Sequence, residues 1–142
     1  MRVMAIDYGD ARTGVAVSDL SATLVGETWV IQEKNQKAVA ATIAEEAISR
    51  EISIIVVGYP KNMDGTIGPM AEKSGQLAEL LRSQCDIKVV LWDERLTTVS
   101  AHRILDETDR HGKKRKKIID AVAASMILES YLSYLKGLGV RS

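Results

Sequence analysis

The chain has 142 residues, 46% of them apolar, with 19 basic and 19 acidic side chains and no formal net charge. That length fits one domain with a sizeable core, and the charge balance excludes a protein coated in positive field while allowing a local basic patch. A lone cysteine, Cys85, excludes an internal disulfide and a zinc knuckle, and no stretch approaches the roughly 20 apolar residues of a membrane helix.

In chain order, Arg2 to Asp7 and Thr13 to Ser18 are β-rich runs joined by the turn-forming "YGDAR", and they predict a hairpin. The first run ends on a carboxylate, Asp7, which needs something positive to hold it. "ETWVIQ", Glu27 to Gln32, reads as a third, shorter strand after a turn around Gly26. "QKAVAATIAEEAISR", Gln36 to Arg50, sets Val39, Ile43 and Ala47 on one stripe of an amphipathic helix. "ISIIVVG", Ile52 to Gly58, is a continuous apolar run, as in a strand buried on both faces. "YPKNMDGTIGP" is a loop rich in turn formers, and a helix from about Met70 to Gln84 carries Leu77, Leu80 and Leu81. "IKVVLW", Ile87 to Trp92, is another buried strand, and it too ends on acids, Asp93 and Glu94. Thr98 to about Asp106 reads as a short helix, "DETDRHGKKRKK" as a charged connection, and about Lys117 to Lys136 as the last helix.

An antiparallel meander followed by strand–helix alternation predicts one mixed five-stranded sheet with helices on both faces, an α/β domain over residues 1–142. Right-handed crossovers place the fourth strand beside the first. Ligands of open α/β sheets bind outside the carboxyl ends of the parallel strands, and those ends carry Asp7, Gly58 and Glu94. The chain starts with a single Arg2 and a short alternating run, without the long apolar region of a signal peptide, so a cytoplasmic location is expected.

A third acid comes from the last helix. Asp120 shares a helical face with Ala123, Ala124, Ile127 and Tyr131, while Ser125, Glu129, Ser133 and Lys136 lie opposite. Asp120 therefore belongs to the stripe that packs on the sheet, and the two alanines let the helix come close. A carboxylate near a helix start also gains about 0.3–1 kcal/mol from the dipole, but that gain does not require the inward face. Three carboxylates converging on one sheet edge repel one another unless neutralised. Magnesium suits them, because it takes oxygen ligands and keeps several waters. Two such ions roughly 4 Å apart activate a water and stabilise the leaving oxygen in phosphodiester cleavage.

Four segments in order, "IDYGDARTGVAVSD", "VVGYPKNMDGTIGPMAEK", "WDERLTTVSA" and "KKIIDAVAASMILESYL", resemble the YqgF family of Holliday junction resolvases or pre-16S rRNA nucleases. The resemblance covers almost the whole chain. It implies a ribonuclease H-like, three-layer α/β/α fold and a metal-dependent nuclease, with Asp7, Glu94 and Asp120 as the acidic triad that binds Mg²⁺ or Mn²⁺ and carries catalysis. The family commonly has aromatic residues in the helix after the glycine-rich loop, where this chain has "SGQLAELL" and no phenylalanine anywhere; that departure bears on packing alone. By resemblance, the expected reaction is processing near the 5′ end of pre-16S rRNA. Resolution of branched DNA is the alternative, and no clear dimerisation stripe is visible.

Other polar residues carry weaker signals. Asp93 and Glu94 point to opposite faces of a regular strand, so the residues alone leave either as Asp7's companion; the resemblance chooses Glu94. Arg12 can contact a phosphate or brace the hairpin. Asn62, Asp64 and Gly65 can guide a nucleic-acid backbone or simply stabilise a turn. Thr97 and Thr98 can donate to phosphate, with Thr98 also a helix N-cap. His102 reads as a packing or surface residue, His111 as a remote aid to proton transfer, Cys85 as structural. Tyr8 and Trp92 flank the acids and are expected in the core rather than stacked on bases. Lys113, Lys114, Arg115, Lys116 and Lys117, the densest charge run, lie just before Asp120 and are expected to bind phosphates.

Two other classes compete. The first segment also resembles the phosphate-contacting hairpin of actin-like ATPases and sugar kinases, which need two such domains to close on a nucleotide. A non-catalytic nucleic-acid-binding module is the other, and the presence of all three acids argues against it.

Overall fold

The computed structural model describes residues 1–97 and 113–139, the side chains of residues 113–119 excepted. Its elements are β1 (Val3–Asp7), β2 (Arg12–Ser18), β3 (Val25–Gln32), α1 (Gln36–Ser49), β4 (Ile54–Tyr59), α2 (Pro69–Gln84), β5 (Lys88–Asp93), a single 3₁₀ turn (Glu94–Leu96) and α3 (Lys113–Leu138). The sheet order is β3-β2-β1-β4-β5. The first three strands form the antiparallel meander, and β1, β4 and β5 run parallel.

Side-chain alternation along each strand sorts the core into two layers. Met4, Ile6, Val15, Val57, Val39, Ile43, Leu77 and Leu81 fill the space between the sheet and the α1–α2 pair. Val3, Ala5, Ala16, Val56, Ala124, Ile127 and Leu128 fill the opposite space, beneath α3. Central β1 is buried along its whole length, whereas edge strand β3 is mostly half-buried or exposed. Local chemistry sets the helix starts. The Asn35 side chain accepts the Ala38 amide at 3.1 Å to cap α1. Pro69 opens α2, with Glu72 in the first turn and Arg82 in the last, each where the helix dipole favours it.

Two expectations meet a different outcome, and a third falls outside the described residues. The turn before β3 lies at residues 19–24 rather than around Gly26, which is already in the strand: Asp19 accepts the Thr23 amide at 2.8 Å and donates its own amide to the Leu24 carbonyl at 3.0 Å. A carboxylate turn, not a glycine, supplies the reversal. The last helix begins at Lys113, so the basic run forms its first turns instead of a connection before it. The short helix expected from Thr98 to about Asp106, with Thr98, His102 and His111, lies outside the described residues.

Candidate active site

Asp7 closes β1 and is only 4% exposed. Its antiparallel partner is Gly14 on β2. One residue past the Ile6–Val57 pairing it is level with Gly58 on β4. Both glycines are places where something else comes close. A Cβ on Gly14 would stand 2.1 Å from the Asp120 carbonyl oxygen, so the backbone of α3 rests directly on β2 there. A Cβ on Gly58 would stand 2.8 Å from Glu94 Oε2 and 2.6 Å from Ile127 Cδ1. These contacts put Asp7, Glu94 and the start of the α3 stripe on one face of the sheet.

Glu94, 2% exposed, is the first residue of the 3₁₀ turn after β5. Thr97 donates both its amide (3.0 Å) and its hydroxyl (2.7 Å) to the Glu94 carbonyl, which fixes that turn. Trp92 Nε1 donates to Ser130 Oγ at 3.0 Å, tying the end of β5 to α3. Trp92 also meets Tyr131 edge-on at 5.1 Å, so it packs as expected. Tyr8 is buried in the layer under α1 and α2.

Asp93 faces away from this cluster. It caps the 3₁₀ turn by accepting the Arg95 amide at 2.9 Å, and it takes Arg95 Nε and Nη2 at 3.0 and 2.7 Å. The Arg95 guanidinium holds the Asp93 carboxyl below the usual carboxylate range, and Asp93 raises Arg95 in return. Asp120 presents a third arrangement: Arg12 Nε donates to its Oδ2 at 3.1 Å, with the two side chains 25% and 21% exposed. Arg12 thus ties β2 to α3 at Asp120, a contact that the sequence expectation for Arg12 did not include. Among the described residues no three acidic, histidine or cysteine side chains are gathered as a ready ion cage. Glu94 lies against Gly58, which is level with Asp7 on the neighbouring strand, while Asp120 rests on Gly14 of β2 with its carboxylate on Arg12.

The loop after β4 is built as a turn. Asn62 Nδ2 donates to Thr66 Oγ1 at 2.9 Å, and Asp64 accepts the Thr66 amide and hydroxyl at 3.0 and 2.6 Å. Those bonds from Thr66 hold the Asp64 carboxyl low, with Arg95 adding to the effect. Cys85 follows α2 and donates Sγ to the Leu81 carbonyl. The side chains of Lys113 to Lys117 lie outside the described set.

With this geometry in view, residues 1–134 match the family model RuvX, described as Holliday junction resolvase. The chain belongs to the RuvX family. Curated relatives carry the name "Putative pre-16S rRNA nuclease". One, from Halothermothrix orenii, is 46% identical over 94% of this chain and 96% of its own length. Another, from Listeria monocytogenes, is 49% identical over 93% and 97%. Among solved structures, Thermus thermophilus RuvC in complex with Holliday junction substrate superposes with a TM-score of 0.59 at 13% identity, covering 100% of this chain and 98% of that one. At that identity the likeness concerns the fold alone, and it is the ribonuclease H-like fold that the four segments imply. Gly14 is the feature of this RuvX-family chain that the sequence reading passed over. Its one visible signal was a glycine inside a β-rich run, which marks close backbone approach.

Proposed function

We propose that this RuvX-family chain is a metal-dependent nuclease that hydrolyses phosphodiester bonds in pre-16S rRNA, with Asp7, Glu94 and Asp120 as its acidic centre. The observation that carries the reading is the pair of buried carboxylates, Asp7 and Glu94, set around a glycine on the face that α3 closes. Two acids so far from water on one end of one sheet face favour a hard cation as their neutralising partner. Mg²⁺ or Mn²⁺ fits an all-oxygen donor set of this kind. When bound, such an ion supplies a water made nucleophilic near neutral pH and neutralises charge on the leaving oxygen. The chain's own part is to hold Asp7 rigidly at a strand end, to fix Glu94 on its capped turn, and to bring Asp120 alongside through the Gly14 contact.

The names of the curated relatives support ribosomal RNA as substrate. The family description and the junction complex of Thermus thermophilus RuvC support a second reading, cleavage of branched DNA. Among the described residues no helix is long and apolar enough to cross a membrane, and the proposed reaction belongs in the cytoplasm, where rRNA precursors are made. Saturating Mg²⁺ or Mn²⁺ is expected to raise the thermal midpoint of the wild type by mass action, and Asp7→Asn with Asp120→Asn to abolish that shift. Equal shifts in both proteins would move the metal site elsewhere. Mapping precursor rRNA ends and four-way junction cleavage with the same preparation decides between the two substrates.

Lys113, Lys114, Arg115, Lys116 and Lys117 occupy the first turns of α3, where the helix dipole adds further positive potential. Their proposed role, with Arg12 and Asn62, is to hold phosphates flanking the scissile one. Each phosphate neutralised contributes a salt slope of about −0.7 on single strands and −0.9 on duplex. If three of the five are engaged, changing all five to serine should flatten the slope by roughly two to three units. Affinity should fall alike for all sequences, because phosphate contacts position without reading bases. Binding of Asp7→Asn protein to structured RNA and to a junction across a salt series measures this. An unchanged slope on both returns the run to a solvated helix start.

A further inference from the structure

Accepting the metal-dependent reading, we propose that Arg12 is a latch on Asp120: the guanidinium and a divalent cation compete for one carboxylate, and the arginine released by the cation turns to a substrate phosphate. Arg12 opens β2 and, two residues from Gly14, lies on the same sheet face. Gly14 carries the Asp120 backbone and pairs across the ladder with Asp7. The Asp120 main chain is therefore pinned on the strand beside Asp7, and its side chain places Oδ2 on Arg12 Nε at 3.1 Å.

Pinning separates two things that usually move together. The place of the Asp120 main chain beside the Asp7 strand is set by backbone contact at Gly14, so what a cation and Arg12 can compete for is the carboxylate alone. Both side chains of the pair keep about a quarter of their surface in water, and a partly exposed ion pair of this kind is weak enough to exchange. A released arginine presents a planar fork of donors suited to phosphate oxygens. Cation and nucleic acid would then favour each other's binding through Arg12, and the coupling is reciprocal.

The test is a titration with Mn²⁺ alone, with free ion followed by electron paramagnetic resonance, so that no turnover is needed. Arg12→Gln should bind Mn²⁺ about two- to fivefold more tightly than wild type, the range a partly exposed pair supports. Arg12→Lys keeps the charge without the Nε geometry and should fall between them. In an Asp120→Asn background, where Asp7 and Glu94 still hold the ion more weakly, Arg12→Gln should add nothing. Unchanged or weaker binding in Arg12→Gln overturns the latch. Equal tightening in both backgrounds also overturns it, since that is a general effect of removing one positive charge. Absence of Mn²⁺ binding in the wild type defeats the metal reading itself, and the latch with it.

Discussion

Asp7→Asn and Glu94→Gln are each expected to slow cleavage of any accepted substrate by about a hundredfold or more, roughly 2.7 kcal/mol of transition-state stabilisation at 1.36 kcal/mol per decade. Both substitutions keep side-chain shape and remove charge, so the loss should appear in kcat with the fold intact. Asp7 is set between Gly14 and Gly58 along the ladder, and Glu94 lies over Gly58. Asp93→Asn is the control. Its carboxylate serves Arg95 and the cap of the 3₁₀ turn, so its loss should cost stability more than rate. Single-turnover cleavage of all three variants, with thermal midpoints measured alongside, tests the assignment. Equal rate losses at Asp93 and Glu94 would reverse the choice of ligand, and full activity in Asp7→Asn would remove the mechanism.

The two glycines should respond oppositely to alanine. At Gly14 the new methyl would meet the Asp120 carbonyl oxygen at 2.1 Å and its carbon at 2.6 Å, backbone against backbone, so α3 itself must lift from β2. Overpacking of this kind costs about 1–3 kcal/mol, and for a chain of this size the upper end lowers the thermal midpoint by roughly 10 °C. Activity should fall too, because Asp120 moves with the helix. At Gly58 the methyl would meet Ile127 Cδ1 and Glu94 Oε2, both ends of side chains that can turn away. Gly58→Ala should therefore keep most of its stability while losing rate, through displacement of Glu94. Calorimetry and initial rates on the pair provide the comparison. A Gly14→Ala protein as stable and active as the wild type would show that α3 does not depend on this contact.

Much of the architecture was legible in residue order because strands and helices advertise themselves through local periodicity. Alternation in "RVMAID" and "TGVAVS", the unbroken apolar run "ISIIVVG" and the Val39–Ile43–Ala47 stripe need no knowledge of distant partners, and the handedness of crossovers then puts β4 beside β1. The inward position of Asp120's stripe followed from the same logic, since Ala123, Ala124, Ile127 and Tyr131 are all buried. The start of α3 was less legible. Five like charges at the positive end of a dipole argue against helix, and the backbone is helical there nonetheless, in continuity with a long stripe seated on the sheet.

The chemistry of the candidate site was decided at longer range. Sequence brought Asp7, Glu94 and Asp120 to one end of one sheet, but it could not say that Asp120 would rest on a glycine of β2, or that its carboxylate would face an arginine 108 residues earlier in the chain. Nor could it show Asp93 turned to Arg95 while Glu94 lies over Gly58. Periodicity fixes which face a side chain leaves from, because that depends on backbone geometry repeated every two or three and a half residues. Which partner it meets depends on how closely two elements pack. Here that is set by the absence of two side chains, at Gly14 and Gly58, and becomes visible only when the helix lies on the sheet.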